Sequence, residues 1–222
     1  MSERIVAVVP VRSLQGGKTR LAGTLTPEAR QALSRRMLLH VLEQTLASAV
    51  VDRVVVVSPD EEALEVARTL HPSVVALPQG ATSPGLNPAL DLGRSWAESA
   101  GAAAMLVLFA DLPRLTAADV RDLARQEAPV ALAPDRHGTG TNALRLRLVS
   151  GGHAFAFAFG VDSAALHLAE ARRLGLEAVI HRSPGLSFDL DTADDWRSFV
   201  DGEALAVRTA GASLCAAWGP GQ

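Results

Sequence analysis

Short apolar runs alternate along this chain with longer stretches in which apolar and polar positions recur at helical spacing. The run 5–9, Ile-Val-Ala-Val-Val, is continuous, largely β-branched and uncharged. That is the composition of a strand buried on both faces. The runs 53–57, 74–77, 105–109 and 130–133 have the same character. Between them the signals are helical. Thr26-Pro27-Glu28 sets a capping side chain, a first-turn proline and an acid at the start of a helix reaching about Ala49. Further helices are predicted from Asp60 to about Leu70, from the Gly/Pro-rich loop 78–88 to about Ser99, and after the capping residue Thr116.

The second half is less regular. Residues 142–148 alternate like a strand and 154–159 resemble another. Residues 163–175 read as a helix, and Thr192 caps a short one through Val200. The βαβαβ rhythm predicts one α/β domain over residues 1–202, a mostly parallel sheet flanked by helices. Residues 203–222 form a tail, rich in Ala and Gly, without a predicted element; it is either disordered or packed on a neighbour.

Composition excludes several classes. The chain has 222 residues, 48% of them hydrophobic, enough for a substantial core. A net charge of −3 argues against a nucleic-acid binder, whose surface is normally basic. No apolar run approaches the ~20 residues of a membrane span. Met1-Ser2-Glu3-Arg4 runs straight into the first strand, so no signal peptide is expected. The single cysteine, Cys215, cannot form an internal disulfide. Together these features predict a soluble cytoplasmic protein.

The basic residues carry the first chemical signal. All but one are arginine; the exception is Lys18, just after the first strand, between Arg12 and Arg20. Gly17-Lys18-Thr19 invites comparison with a phosphate-binding P-loop. That motif requires glycine where Arg12 stands and a helix that begins at once, whereas Gly23 and Pro27 interrupt. What remains is a glycine-flexible loop with three cations at a strand's C-terminal end, where ligands bind in open α/β sheets. Arg12, Lys18 and Arg20 suit a triphosphate there; the plainer reading is a solvated basic loop.

Three aspartates form the second signal. Asp111 follows a buried strand directly, a position suited to holding Mg²⁺ or, alternatively, to forming a turn. Asp189 and Asp191 flank Leu190, and in an extended segment residues i and i+2 face one side, so both carboxylates can meet a metal. The alternative is an acidic turn before the Thr192 helix, with Asp194 and Asp195 as ordinary first-turn acids. The third signal is the stretch 133–144, which is too polar and glycine-rich for a core. Its backbone N–H groups and hydroxyls, with Arg136 and His137, can wrap a phosphate or carboxylate. His137 is also a possible base, but a phosphate nucleophile is already deprotonated and needs none. Ser163 and Asn87 each stand at a predicted helix start, where plain capping is the simpler reading.

Taken together, these residues resemble the guanylyltransferases of deazaflavin coenzyme F(420) biosynthesis, within the nucleotide-diphospho-sugar transferase-like, Rossmann-like fold. The resemblance covers about residues 4–200. It is carried by Lys18-Thr19-Arg20-Leu21, Gly85-Leu86-Asn87, Ala110-Asp111-Leu112-Pro113, the run 133–144, Phe159-Gly160 with Ser163, and Asp189-Leu190-Asp191. It implies an enzyme joining GTP to phosphoenolpyruvate or 2-phospho-L-lactate. It implies Mg²⁺ on Asp111, Asp189 and Asp191, acceptor contacts from Thr141, Gly160 and Ser163, and a homodimer. Where the family usually has Phe-Gly-Pro-Gly-Ser, this chain has Phe159-Gly160-Val161-Asp162-Ser163. Two rival readings are a molybdopterin or sugar-phosphate nucleotidylyltransferase and a non-catalytic nucleotide-binding module.

Overall fold

The computed structural model describes residues 3–210. In chain order its elements are β1 (Ile5–Pro10), α1 (Pro27–Ala47), β2 (Arg53–Ser58), α2 (Glu61–Leu70), β3 (Val74–Pro78), α3 (Leu86–Ser99) and β4 (Ala104–Leu108). There follow α4 (Ala117–Ala124), β5 (Val130–Pro134), β6 (Thr141–Arg147), α5 (Ser163–Arg173), β7 (Ala178–Ile180), α6 (Pro184–Ser187) and α7 (Ala193–Ala210). The seven strands make one sheet in the order β3-β2-β1-β4-β6-β5-β7. β3, β2, β1 and β4 are parallel neighbours. β6 runs antiparallel to both β4 and β5, while β7 pairs parallel with β5. A mostly parallel mixed sheet is therefore what forms.

The doubly buried strands explain the layering. In β1, Ile5, Ala7 and Val9 face one side and Val6 and Val8 the other. The first side packs on α1, α2 and α4 through Leu38, Leu42, Val66 and Val120. The second packs on α3 and α5 through Leu90, Ala97 and Ala171. The helix starts form as their residues dictate. Thr26 Oγ1 accepts from Ala29 N–H at 3.2 Å at the head of α1. At the head of α4, Thr116 and Asp119 bond reciprocally as a capping box.

Three expectations are corrected. Residues 154–159 are not a strand. Two short 3₁₀ turns, Leu148–Ser150 and Gly152–Ala154, lead instead into irregular extended backbone. Phe155, Phe157 and Phe159 do alternate inward and are buried. Three backbone N–H groups of this segment, however, are satisfied by side chains rather than by a neighbouring strand. Ala156 donates to Glu170, Ala158 to His167 and Phe159 to Asn87. Period-two burial therefore occurs over a helix face rather than within the sheet. Secondly, α7 continues past Gly202 to Ala210, so the tail does not begin where expected; residues 211–222, Cys215 among them, lie outside the described residues. Thirdly, Ser163 does not cap α5. The N-cap is Asp162, in the left-handed region at φ 55° and without a side-chain cap bond. Aspartate tolerates that conformation better than most residues, which accounts for an acid where the resembled family has glycine. Asp162 is exposed.

Among the described residues no helix is long and apolar enough to cross a membrane.

Candidate active site

A cleft of about 1030 Å³ opens at the C-terminal ends of β1 and β4. Its walls include Arg12, Asp111, Thr141, Gly160, Ser163, Asp189 and Asp191. Seven of the sequence-selected residues, from five separate stretches of chain, are thus brought to one cavity.

A small apolar cluster sets the acidic side of this cleft. Leu21 and Leu190 are both fully buried, packed with Leu33, Met37, Phe188 and Phe199. Leu190 points into that cluster, so its neighbours Asp189 and Asp191 are turned the other way, toward the cleft. Leu190 N–H also donates to the Asp111 carbonyl at 3.1 Å, tying this segment to the end of β4. Leu21 anchors the 3₁₀ turn Thr19–Leu21, whose N-cap is Lys18 in the left-handed conformation, φ 55°. That conformation costs a non-glycine residue roughly 1–2 kcal/mol. Here it delivers the ammonium into the aspartates: Nζ lies 2.8 Å from Asp111 Oδ2 and 2.6 Å from Asp191 Oδ1.

The electrostatics follow from this arrangement. Burial alone lowers the pKa of the Lys18 ammonium, but Asp111 and Asp191 outweigh it and hold the group above its ordinary value. Burial pushes the Asp189 carboxyl up and the nearby Asp111 and Asp191 charges add to this, against a hydrogen bond from Asn142 Nδ2 at 3.2 Å. One ammonium therefore pairs with two carboxylates while a third, Asp189, feels their charge, leaving an excess of negative charge in a partly desolvated pocket. Among the described residues no three His, Cys, Asp or Glu side chains stand close enough to cage a metal ion. The donor set does suit Mg²⁺, which takes one or two carboxylates and completes its shell with water and phosphate oxygens.

The remaining sequence-selected residues lie elsewhere. Arg20 is exposed and outside the cleft lining. Arg136 turns away from the cleft to ion-pair with Asp195, and it lies 5.4 Å over the Phe188 ring. His137, exposed, accepts from Arg136 Nε at 3.1 Å. Asn87 serves the backbone: Oδ1 accepts from Phe159 N–H at 2.9 Å, and Nδ2 donates to the Phe159 carbonyl at 3.3 Å. It thereby holds the residue before Gly160. Gly160 has φ +137°, a conformation that a side chain would strain.

Two contributors escaped the sequence reading, and a third, Asn142, was marked only as part of the polar stretch 133–144. Asp195, read there as an ordinary helix acid, is 2% exposed and accepts from the N–H groups of Asp191 and Thr192 at 3.0 and 2.7 Å. With Arg136 it fixes the turn that presents Asp191. Its only signal was the Thr192-x-x-Asp195 capping spacing. Asn142 bonds both the Leu186 carbonyl and Asp189. His167, on α5, is fully buried with one ring nitrogen 3.1 Å from Thr141 Oγ1 and the other 3.1 Å from Ala158 N. The stretch 133–144 marked Asn142 without a role and nothing marked His167, because their partners lie far away in sequence.

His167 makes stability depend on pH. Burial holds its pKa at about 4, below the ordinary 6.5. The unfolded imidazole binds a proton below pH 6.5, whereas the folded one does not until about 4. The stability due to the neutral ring is thus fully present above pH 6.5 and is lost as pH falls toward 4. The difference corresponds to roughly 3 kcal/mol at most. The expected result is an unfolding midpoint that falls between pH 7 and 4.5, with a clearly flatter fall in His167→Phe. Equal slopes in the two proteins would exclude His167 as the source.

The chain matches the family model described as "Guanylyl transferase CofC like" over residues 5–207. It is 45% identical over 192 residues to a phosphoenolpyruvate guanylyltransferase of Sphaerobacter thermophilus, covering 86% of this chain and 89% of that protein. It is 41% identical over 204 residues to one of Chloroflexus aggregans, covering 89% and 98%. Among solved structures, a protein of Desulfovibrio desulfuricans described as a nucleotide-diphospho-sugar transferase aligns with a TM-score of 0.75 at 17% identity, over 95% of this chain and 92% of that one. A nucleotidyl transferase of Methanothermobacter aligns at 0.62 and 17% identity, over 90% and 97%. At such identities the structural likeness speaks for the fold alone.

Proposed function

Since the chain belongs to the CofC-like guanylyl transferase family, we propose that it transfers the guanylyl group of GTP to phosphoenolpyruvate in the cytoplasmic biosynthesis of coenzyme F(420). The chemically close alternative acceptor is 2-phospho-L-lactate. The observation that carries this reading is the Lys18 ammonium held between Asp111 and Asp191, two carboxylates that line a cleft large enough for a nucleotide and a small acid.

In this reaction an oxygen of the acceptor phosphate forms a bond to the α-phosphorus of GTP. The bond from that phosphorus to the bridging oxygen breaks, and pyrophosphate departs. The nucleophile is already ionised, so no protein base is required, consistent with an exposed His137 away from the cleft. What remains for the protein is alignment and neutralisation of charge. Asp111 and Asp191, with Asp189 beside them, would hold Mg²⁺, which supplies positive charge to the phosphate oxygens. Lys18 adds a compact point charge in the same place and stabilises the departing pyrophosphate. Arg12, in the cleft wall, faces the polyphosphate. Thr141, Gly160 and Ser163 receive the acceptor: two hydroxyls and an unobstructed backbone in the cleft wall.

The relatives' names favour phosphoenolpyruvate. Incubating GTP separately with phosphoenolpyruvate, 2-phospho-L-lactate and a sugar 1-phosphate, then weighing the products, tests the reading. The guanylylated phosphoenolpyruvate is expected to dominate. A product formed only from the sugar phosphate would overturn the proposal, and GTP binding without pyrophosphate release would mark a binding module instead.

A further inference from the structure

We propose that His167 is a positioning residue that makes the Thr141 hydroxyl a hydrogen-bond donor aimed at the anionic acceptor. The inference rests on the reading above that Thr141 touches the acceptor.

His167 is fully buried and does not line the cleft, so it acts through a neighbour. Its two ring nitrogens have different partners. Nε2 lies 3.1 Å from the backbone N of Ala158, which can only donate, so Nε2 must be the unprotonated nitrogen. The neutral ring then carries its single proton on Nδ1, 3.1 Å from Thr141 Oγ1. Burial, which holds the ring neutral at physiological pH, agrees with this tautomer. Thr141 Oγ1 therefore accepts from the imidazole, and its own proton is left to donate. Thr141 stands in the cleft wall, so the acceptor is the partner available to that proton.

The ring is held in place on several sides. The Phe159 ring meets it edge-on with centroids 4.5 Å apart, and Phe155 lies at 5.8 Å. Glu170, the charged group one turn along α5, is engaged by Arg173 and by Ala156 N–H. A hydroxyl forced to donate favours phosphate or carboxylate oxygen and disfavours a ligand that offers only a donor.

The test is a double-mutant cycle on Thr141→Val and His167→Phe, with His167→Asn as the conservative variant. It reads KM for phosphoenolpyruvate and for GTP separately. Each single variant is expected to raise the phosphoenolpyruvate KM about tenfold, the loss of one hydrogen bond to a charged group. GTP KM should stay unchanged. The double variant should be no worse than Thr141→Val alone, because His167 acts only through the hydroxyl. His167→Asn, which can place an N–H near the position of Nδ1, should recover most of the affinity, and it carries the test alone if the phenylalanine variant does not fold. An unchanged KM in Thr141→Val would remove Thr141 from the acceptor site, and the proposal with it. If Thr141→Val is impaired as expected but His167→Phe multiplies that defect, or raises both KM values alike, His167 is merely structural and only the inference falls.

Discussion

Replacing Asp111 by asparagine is expected to slow Mg²⁺-dependent pyrophosphate release by at least about 10²–10³-fold, the usual loss when one aligned electrostatic contact is removed. The substitution keeps the side chain's shape and an oxygen for Lys18 while deleting one charge. Asp111 sits directly after β4, its backbone carbonyl held by Leu190 N–H and its carboxylate by the Lys18 ammonium. It is therefore the residue at which the strand end, the acidic turn and the cation meet. Folding should not suffer, because the variant relieves repulsion among Asp111, Asp189 and Asp191. A continuous pyrophosphate assay across a Mg²⁺ titration, beside an unfolding midpoint, makes the measurement. Near-normal turnover in a folded Asp111→Asn protein would remove this residue from the proposed Mg²⁺ ligands.

Lys18→Ala should lower turnover by about 10²-fold while leaving the acceptor KM within a few-fold of the parent. The sequence suggested that this ammonium suits a triphosphate; in the structure it rests on two carboxylates. Both are compatible with a charge acting on the departing pyrophosphate, since the carboxylates are where that group's counter-charge must collect. Lys18→Arg should not restore activity. The lysine side chain is only 9% exposed and reaches both oxygens from a left-handed backbone. A planar guanidinium would have to fit the same slot with a broader, rigid head. If acceptor affinity alone suffers in Lys18→Ala, the ammonium serves the acceptor's phosphate instead.

The legible part of this protein lay in local chemistry. Strands form at the apolar runs near residues 5–9, 53–57, 105–109 and 130–133 because a strand buried on both faces must be continuously apolar, whatever surrounds it. Thr26 and Thr116 cap as expected because a cap needs only its own next three residues. The Asp189 and Asp191 carboxylates were recognised for the same reason: alternation about Leu190 is a local rule, and the cleft lies on the side it indicates. Residues 154–159 show where a local rule misleads. Their alternating phenylalanines are buried as a strand's would be, yet Glu170, His167 and Asn87 take the backbone bonds that a neighbouring strand would have taken.

By itself, then, the sequence determined the alternation of elements, the class of sheet and the candidate chemistry at strand ends, because periodicity and capping act over a few residues. Only the tertiary structure decided which charges meet. Lys18 and Asp191 are 173 positions apart, and their pairing depends on Leu21 and Leu190 sharing one buried cluster. Arg136 belongs to Asp195 rather than to the cleft, and His167 to Thr141. Such contacts follow from how helices pack on the sheet, which no short stretch of sequence encodes. For this reason the family's aspartates could be named from the chain alone, while the groups that hold and aim them could not.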